Sequence, residues 1–160
     1  MSISVGQILV AGIGACIIFD LWQRVFVVFT GIPPSNWAMV GRWLLGLLAG
    51  QGLIARDLAV QPARLNEAAA GWALHYIVAV GYAVLYAGLM QAGLLRAGLL
   101  DGLVFGLASV VVPWLFFMPA LGNGVMARLT PNPWLACAVA LVMHAVFGLA
   151  LGGGFALLAT

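Results

Sequence analysis

Four stretches of the chain stay apolar for long enough to cross a hydrocarbon layer. They run from Val5 to about Thr30, from about Ala68 to Met90, from about Ala97 to Met118 and from about Trp134 to Leu158. A helix rises about 1.5 Å per residue, so a bilayer core about 30 Å thick needs about 20 apolar residues. The first stretch ends at Gly31 and the Pro33-Pro34 pair, which cannot continue a helix. Pro131-Asn132-Pro133 opens the fourth, and Pro113 predicts a kink in the third. Between the first two spans, Ser35 or Asn36 is placed to cap a short helix from Trp37 to about Gly50. That helix reads as interfacial or re-entrant, with Trp37 and Trp43 at headgroup level. The rival reading extends it to about Leu58 as a fifth span, against the cost of Arg42, Gln51, Arg56 and Asp57 in lipid. Arg56 to Glu67 is polar, contains Pro62 and reads as an aqueous loop. The pattern predicts an all-α membrane protein. It is a four-transmembrane-helix bundle, one domain over residues 1–160, with an interfacial or re-entrant helix in the first connection.

The polar exceptions inside the spans matter next. Gly12, Cys16, Asp20 and Arg24 recur every four residues, so a helix sets them in one stripe. Asp20 is ten residues before the end of its span, about 15 Å along the axis. His75, Ser109 and His144 fall about 12 to 15 Å from the same membrane face on the other three spans. Each belongs to a stripe of small or polar residues. The second span offers Gly71, His75, Ala79, Tyr82 and Tyr86. The third offers Gly102, Gly106, Ser109 and Pro113, and the fourth Ala140, His144, Gly148 and Gly152. Small residues at this spacing let helices approach closely, so the stripes are expected to face inward. Ionisable residues at such depth are expensive and usually mark a site. The expectation is a central polar site of Asp20, Arg24, His75, Ser109 and His144.

Plainer readings stand beside this one. Asp20 and Arg24 can neutralise each other as an internal ion pair. A histidine can be a hydrogen-bonded packing residue, and Ser109 can bond the carbonyl one turn back. Tyr82 and Tyr86 suit a helix interface better than acid catalysis. The Gly102/Gly106 and Gly148/Gly152 pairs can pack within the chain, or offer a face to a second copy or another membrane protein.

Two histidines and a carboxylate are also the ligand set of many iron and zinc sites, which makes Asp20, His75 and His144 a candidate metal set. Two histidines can hold a haem iron axially. Without a metal, the same groups make a proton relay. No zinc-protease, phosphate-loop or Ser-His-Asp pattern is present, and the reading leans away from an enzyme. The leading expectation is a transport-like or sensing role for a proton, a metal ion or a small anion. A metal- or haem-binding redox centre or intramembrane enzyme is the second, and a structural partner subunit of a membrane complex the third.

Composition narrows the setting. Hydrophobic residues make up 65% of the 160 and charged residues 6%, against about 25% in a soluble domain. Mean hydropathy is +1.17, so the partner is the lipid bilayer. A net charge of +2 is too small to suggest nucleic acid. Cys16 lies deep in the first span and Cys137 near the start of the fourth, which predicts no disulfide between them. The N-terminus lacks a basic region and does not read as a cleaved signal, and the faint lipobox at Ile13–Cys16 reads as ordinary helix. The first and third connections hold Arg42, Arg56, Arg64 and Arg128, and the opposite side Arg96. By the positive-inside rule both termini are expected on the non-cytoplasmic side. The cytoplasmic rim then carries Asn36, Arg42, Asn123, Arg128, Thr130 and Asn132. Thr130 or Asn132 would cap the last helix, and Arg42 and Arg128 would bind a lipid phosphate or serve as plain anchors.

A resemblance follows from four elements. They are Asn36-Trp37-Ala38-Met39-Val40-Gly41-Arg42-Trp43, the pair His75-Tyr76, the run Thr130-Pro131-Asn132-Pro133, and a histidine about a dozen residues later. Over nearly the whole chain these look like a bacterial family of four-helix inner-membrane proteins classed as a domain of unknown function. The proline loop followed by a helical histidine also resembles, more weakly, the YagU-like inner-membrane proteins. The resemblance implies topology and a bacterial inner membrane, and supplies no activity.

Overall fold

The computed structural model describes residues 3–55 and 57–159. The described residues are helical and contain no strand. Helix α1 spans Val5–Thr30, α2 Trp37–Leu48, α3 Glu67–Gln91, α4 Leu99–Ser109 and α6 Pro133–Leu158. Between the last two lie a π-turn at Pro113–Phe117, a short α5 at Met118–Ala120 and a 3₁₀ turn at Val125–Ala127. Four helices are long and apolar enough to cross a membrane: α1, α3, the run Leu99–Ala120 and α6. The protein is a multi-pass membrane protein.

The ends of the helices are written locally. Ser4 and Gln7 form a reciprocal capping box at the start of α1. Gly31 ends α1 in the left-handed conformation at φ 69°, its N–H donating to the Val27 carbonyl at 2.8 Å. Asn36 rather than Ser35 caps α2, its Oδ1 accepting from the Met39 N–H at 3.1 Å. Asn132 rather than Thr130 caps α6, accepting from the Leu135 N–H at 3.1 Å, while Thr130 donates to the Ala127 carbonyl. Helix α2 has 12 residues, about 18 Å of rise, and stops at Leu48. The fifth span to Leu58 does not form. Leu53, Ile54 and Asp57 are exposed loop residues, and Arg56 lies outside the described residues.

The third span bends as Pro113 predicts, through a π-turn. Proline has no N–H for the carbonyl of Ser109, four residues earlier. The ladder slips by one residue, and the Met118 N–H closes on the Pro113 carbonyl. The Tyr82 hydroxyl points at the Ser109 carbonyl that Pro113 leaves over, at 3.4 Å.

The chain divides into two compact units, described separately. One holds the chain up to Pro34, Tyr76–Ser109 and the chain from Leu141 on; the other holds Ser35–His75 and Val110–Ala140. In the first unit α4 and α6 cross backbone to backbone. A Cβ at Gly102 would overlap the Gly148 carbonyl oxygen, and one at Gly106 that of His144. The glycine faces therefore pack against each other within the chain. Gly12 of α1 lies as close to α3, where an added Cβ would come within 2.9 Å of Ala83 Cβ. Tyr86 is fully buried, stacked on Phe155 at 5.4 Å and edge-on to Phe105 at 5.1 Å.

In the second unit α2 lies against the start of α3 through Gly41 and Gly71. A Cβ on either would overlap the Glu67 or the Trp37 carbonyl. Trp43 packs inside the unit rather than on its surface. It is buried with Leu58 and Ala120, edge-on to Phe116 and Phe117, and its indole N–H donates to the Leu53 carbonyl at 2.8 Å. The Ala55 N–H donates to the Ala120 carbonyl at 2.8 Å, joining the first and third connections. The two arginine-bearing loops thus share one end of this unit.

Candidate functional site

The central residues are described in three local arrangements, each by its own partners.

The first arrangement centres on Asp20. It is half-buried on α1, and its Oδ2 accepts the Tyr76 hydroxyl at 3.1 Å. One turn back, Cys16 is fully buried, and its Sγ lies within 4.8 Å of an Asp20 carboxylate oxygen. Both side chains belong to the stripe that begins at Gly12, where α1 touches Ala83 and the Val80 backbone. Arg24 belongs to the same stripe in sequence but not in space. It is exposed, and among the described residues no ion pair joins it to Asp20. It lies six residues before Thr30, about 9 Å from the helix end, so its stem can carry the guanidinium to the headgroups. The expected internal ion pair is therefore replaced by a hydroxyl–carboxylate bond.

The second arrangement joins Ser109 to His144. The Ser109 hydroxyl donates to the Gly106 carbonyl at 2.7 Å and contacts His144 Nδ1 at 2.8 Å. A hydroxyl has one proton, which the carbonyl takes. Nδ1 is then the donor to Oγ, and in the neutral imidazole the lone pair lies on Nε2. The Tyr82 ring stands edge-on to the imidazole at 6.0 Å and 89°. Gly106 allows all of this, since the His144 carbonyl occupies the space of its missing side chain.

The third arrangement holds His75. Its ring stacks on Trp37 of α2 at 3.8 Å and 20°, and Trp72 stands edge-on at 5.8 Å. Among the described residues His144 belongs to no group of three histidine, cysteine or carboxylate ligands within 4.8 Å. The imidazole of His144 faces Ser109, because helices α4 and α6 meet through their glycines.

The rim residues are mostly structural. Arg42 Nε and one terminal nitrogen form a fork on Glu67, each at 2.8 Å. Its other terminal nitrogen donates to the Leu58 and Gln61 carbonyls at 3.2 and 2.7 Å. The carboxylate holds the Arg42 guanidinium above its ordinary pKa, chiefly through this hydrogen bonding. With this fork on Glu67, Arg42 ties α2, the loop and the start of α3 together. Arg128 is exposed and keeps the lipid-phosphate role open. The backbone of Asn123 bonds Met118 and Leu129, closing the third connection.

Sequence reasoning missed three partners: Tyr76 for Asp20, Glu67 for Arg42, and Cys16 as a donor beside Asp20. The signal for Cys16 was present, since it precedes Asp20 by four residues. Tyr76 had none, because its neighbour His75 drew the inward face toward itself.

A family model described as "Protein of unknown function (DUF2938)" matches residues 9–157. No curated protein and no solved structure matches the chain, so the YagU-like likeness finds no support there.

Proposed function

The chain belongs to this family of unknown function, DUF2938, and from that premise and its four apolar spans we propose a transport-like or sensing protein that takes up a proton or cation at Asp20. One observation carries the reading: a carboxylate ten residues inside a 26-residue apolar helix is held by a phenol hydroxyl, with the nearby arginine turned outward. At such depth a carboxylate is stable as the neutral acid, or as an anion with a cation on it. Alternating between the two states is the elementary step of proton or cation handling. Tyr76 donates to the anion, so it fixes the carboxylate in place while that exchange occurs. His144, with its Nε2 lone pair, is a further titratable group in the same unit and serves as the relay. The small-anion variant loses its support, because Arg24 does not accompany Asp20.

Purified protein in vesicles with a trapped pH dye tests this. The wild-type protein is expected to dissipate an imposed pH gradient or to couple it to a cation gradient. Asp20→Asn is expected to lower the rate at least tenfold while the protein stays folded by circular dichroism. Equal rates for the two proteins would overturn the assignment.

A further inference from the structure

We propose that Cys16 and Asp20 together form the protein's half of a binding site for a divalent cation of the zinc class. The proposal rests on the Asp20 reading and names the cation. Three features carry it. The two donors are one turn apart on α1, and Sγ and a carboxylate oxygen lie within 4.8 Å, so a single ion can bridge them. The thiol is fully buried in an apolar span, and a second side chain, Tyr76, steadies the carboxylate. Charge supplies the third feature. A thiolate and a carboxylate carry two negative charges, which leave a bound divalent ion neutral in a medium where net charge is costly.

The donor types select the metal. A thiolate with a carboxylate is a soft–hard pair that suits zinc and excludes magnesium and calcium, which take oxygen ligands. Histidine nitrogen and water are the donors such an ion adds to complete its four positions. Binding is written as M²⁺ + Cys–SH → Cys–S–M⁺ + H⁺, with the Asp20 carboxylate closing the remaining charge. The S–H bond breaks, the S–M bond forms, and no electron moves. Metal entry therefore expels the thiol proton, and a second one when the acid is protonated. Cys137 is the internal control. It is the second cysteine of the chain, its thiol donates to the Met126 carbonyl at 3.3 Å, and it lies on a different helix from Asp20.

The test uses the full chain in detergent, with cobalt(II) as a coloured substitute for zinc. Wild type and Cys137→Ser are expected to develop the thiolate-to-cobalt absorption, to lose it on zinc addition, and to release at least one proton per metal. Cys16→Ser is expected to lose the band, and both Cys16→Ser and Asp20→Asn to bind zinc at least tenfold more weakly. A band that survives Cys16→Ser, or one that disappears with Cys137→Ser, would overturn the proposal. So would zinc affinity unchanged in Asp20→Asn. The two readings fail separately. The Asp20 reading is scored by the metal-free pH-gradient flux of wild type against Asp20→Asn, and the zinc reading by the cobalt band and zinc affinity, so either can be lost while the other stands.

Discussion

A hydroxyl with two neighbours fixes the state of a histidine here. Ser109 gives its proton to the Gly106 carbonyl, which forces His144 to donate from Nδ1. Nitrogen NMR of the labelled imidazole is therefore expected to report the Nδ1–H tautomer, and Ser109→Ala to lose that preference. The same substitution is expected to destabilise by about 1 kcal/mol, the usual worth of a buried hydrogen bond, as read from unfolding in detergent. Arg42 is the other residue whose role follows from counting donors. Arg42→Lys keeps the charge but cannot make the fork on Glu67 and reach two carbonyls as well. It is expected to lower the melting temperature, whereas Arg128→Lys, at an exposed position, is expected to leave it unchanged.

Elements meet here by removing side chains. At the α4–α6 crossing an added methyl on Gly106 would overlap the His144 backbone, so Gly106→Ala must push the helices apart. Overpacking of this kind costs about 1–3 kcal/mol. The expected result is a loss in that range by unfolding, together with a changed His144 imidazole signal, since the same crossing sets the Ser109 contact. The π-turn makes a second prediction for an element. Pro113→Ala restores an N–H for the Ser109 carbonyl, so the Tyr82 hydroxyl becomes redundant. Tyr82→Phe is then expected to cost about 1 kcal/mol in the wild-type background and close to nothing beside Pro113→Ala. A double-mutant cycle measures the difference.

For the molecule as a whole, the joined first and third connections carry a topological consequence. Ala55 and Ala120 bond each other, so the loops bearing Arg64 and Arg128 lie at one end of their unit. With Arg96 as the counterweight, that end is expected in the cytoplasm. A single cysteine placed at Ala63 in a chain lacking the native thiols is expected to react with an impermeant reagent only after the membrane is opened. A cysteine at Ala92 is expected to react from outside. Reversed labelling would reverse the orientation.

How much of this was legible follows a physical division. Span number, the limits near Thr30, Met90 and Leu158, the proline bend and the α2 boundary are local events. Apolar run length, caps and missing N–H groups decide them within a few residues, and those are visible in a string of letters. The depth of Asp20, Ser109 and His144 along their helices was equally readable, because rise per residue is constant. Direction around the helix axis was not. His75 and Tyr76 are adjacent, about 100° apart on a helix, and only packing decides what each one touches. The Tyr76 hydroxyl bonds Asp20, and the His75 ring stacks on Trp37.

By itself, then, the sequence determined a lipid-dissolved bundle of four spans with rare ionisable groups inside them. Length and transfer free energy settle that without reference to neighbours. Tertiary structure alone decided which groups those ionisable side chains face: a phenol and a thiol for Asp20, a serine for His144, a tryptophan for His75 and a glutamate for Arg42. The reason is that glycine contacts between distant residues fix how each helix is rotated and how closely it approaches the next. Hydrogen-bond partners are chosen at that final step.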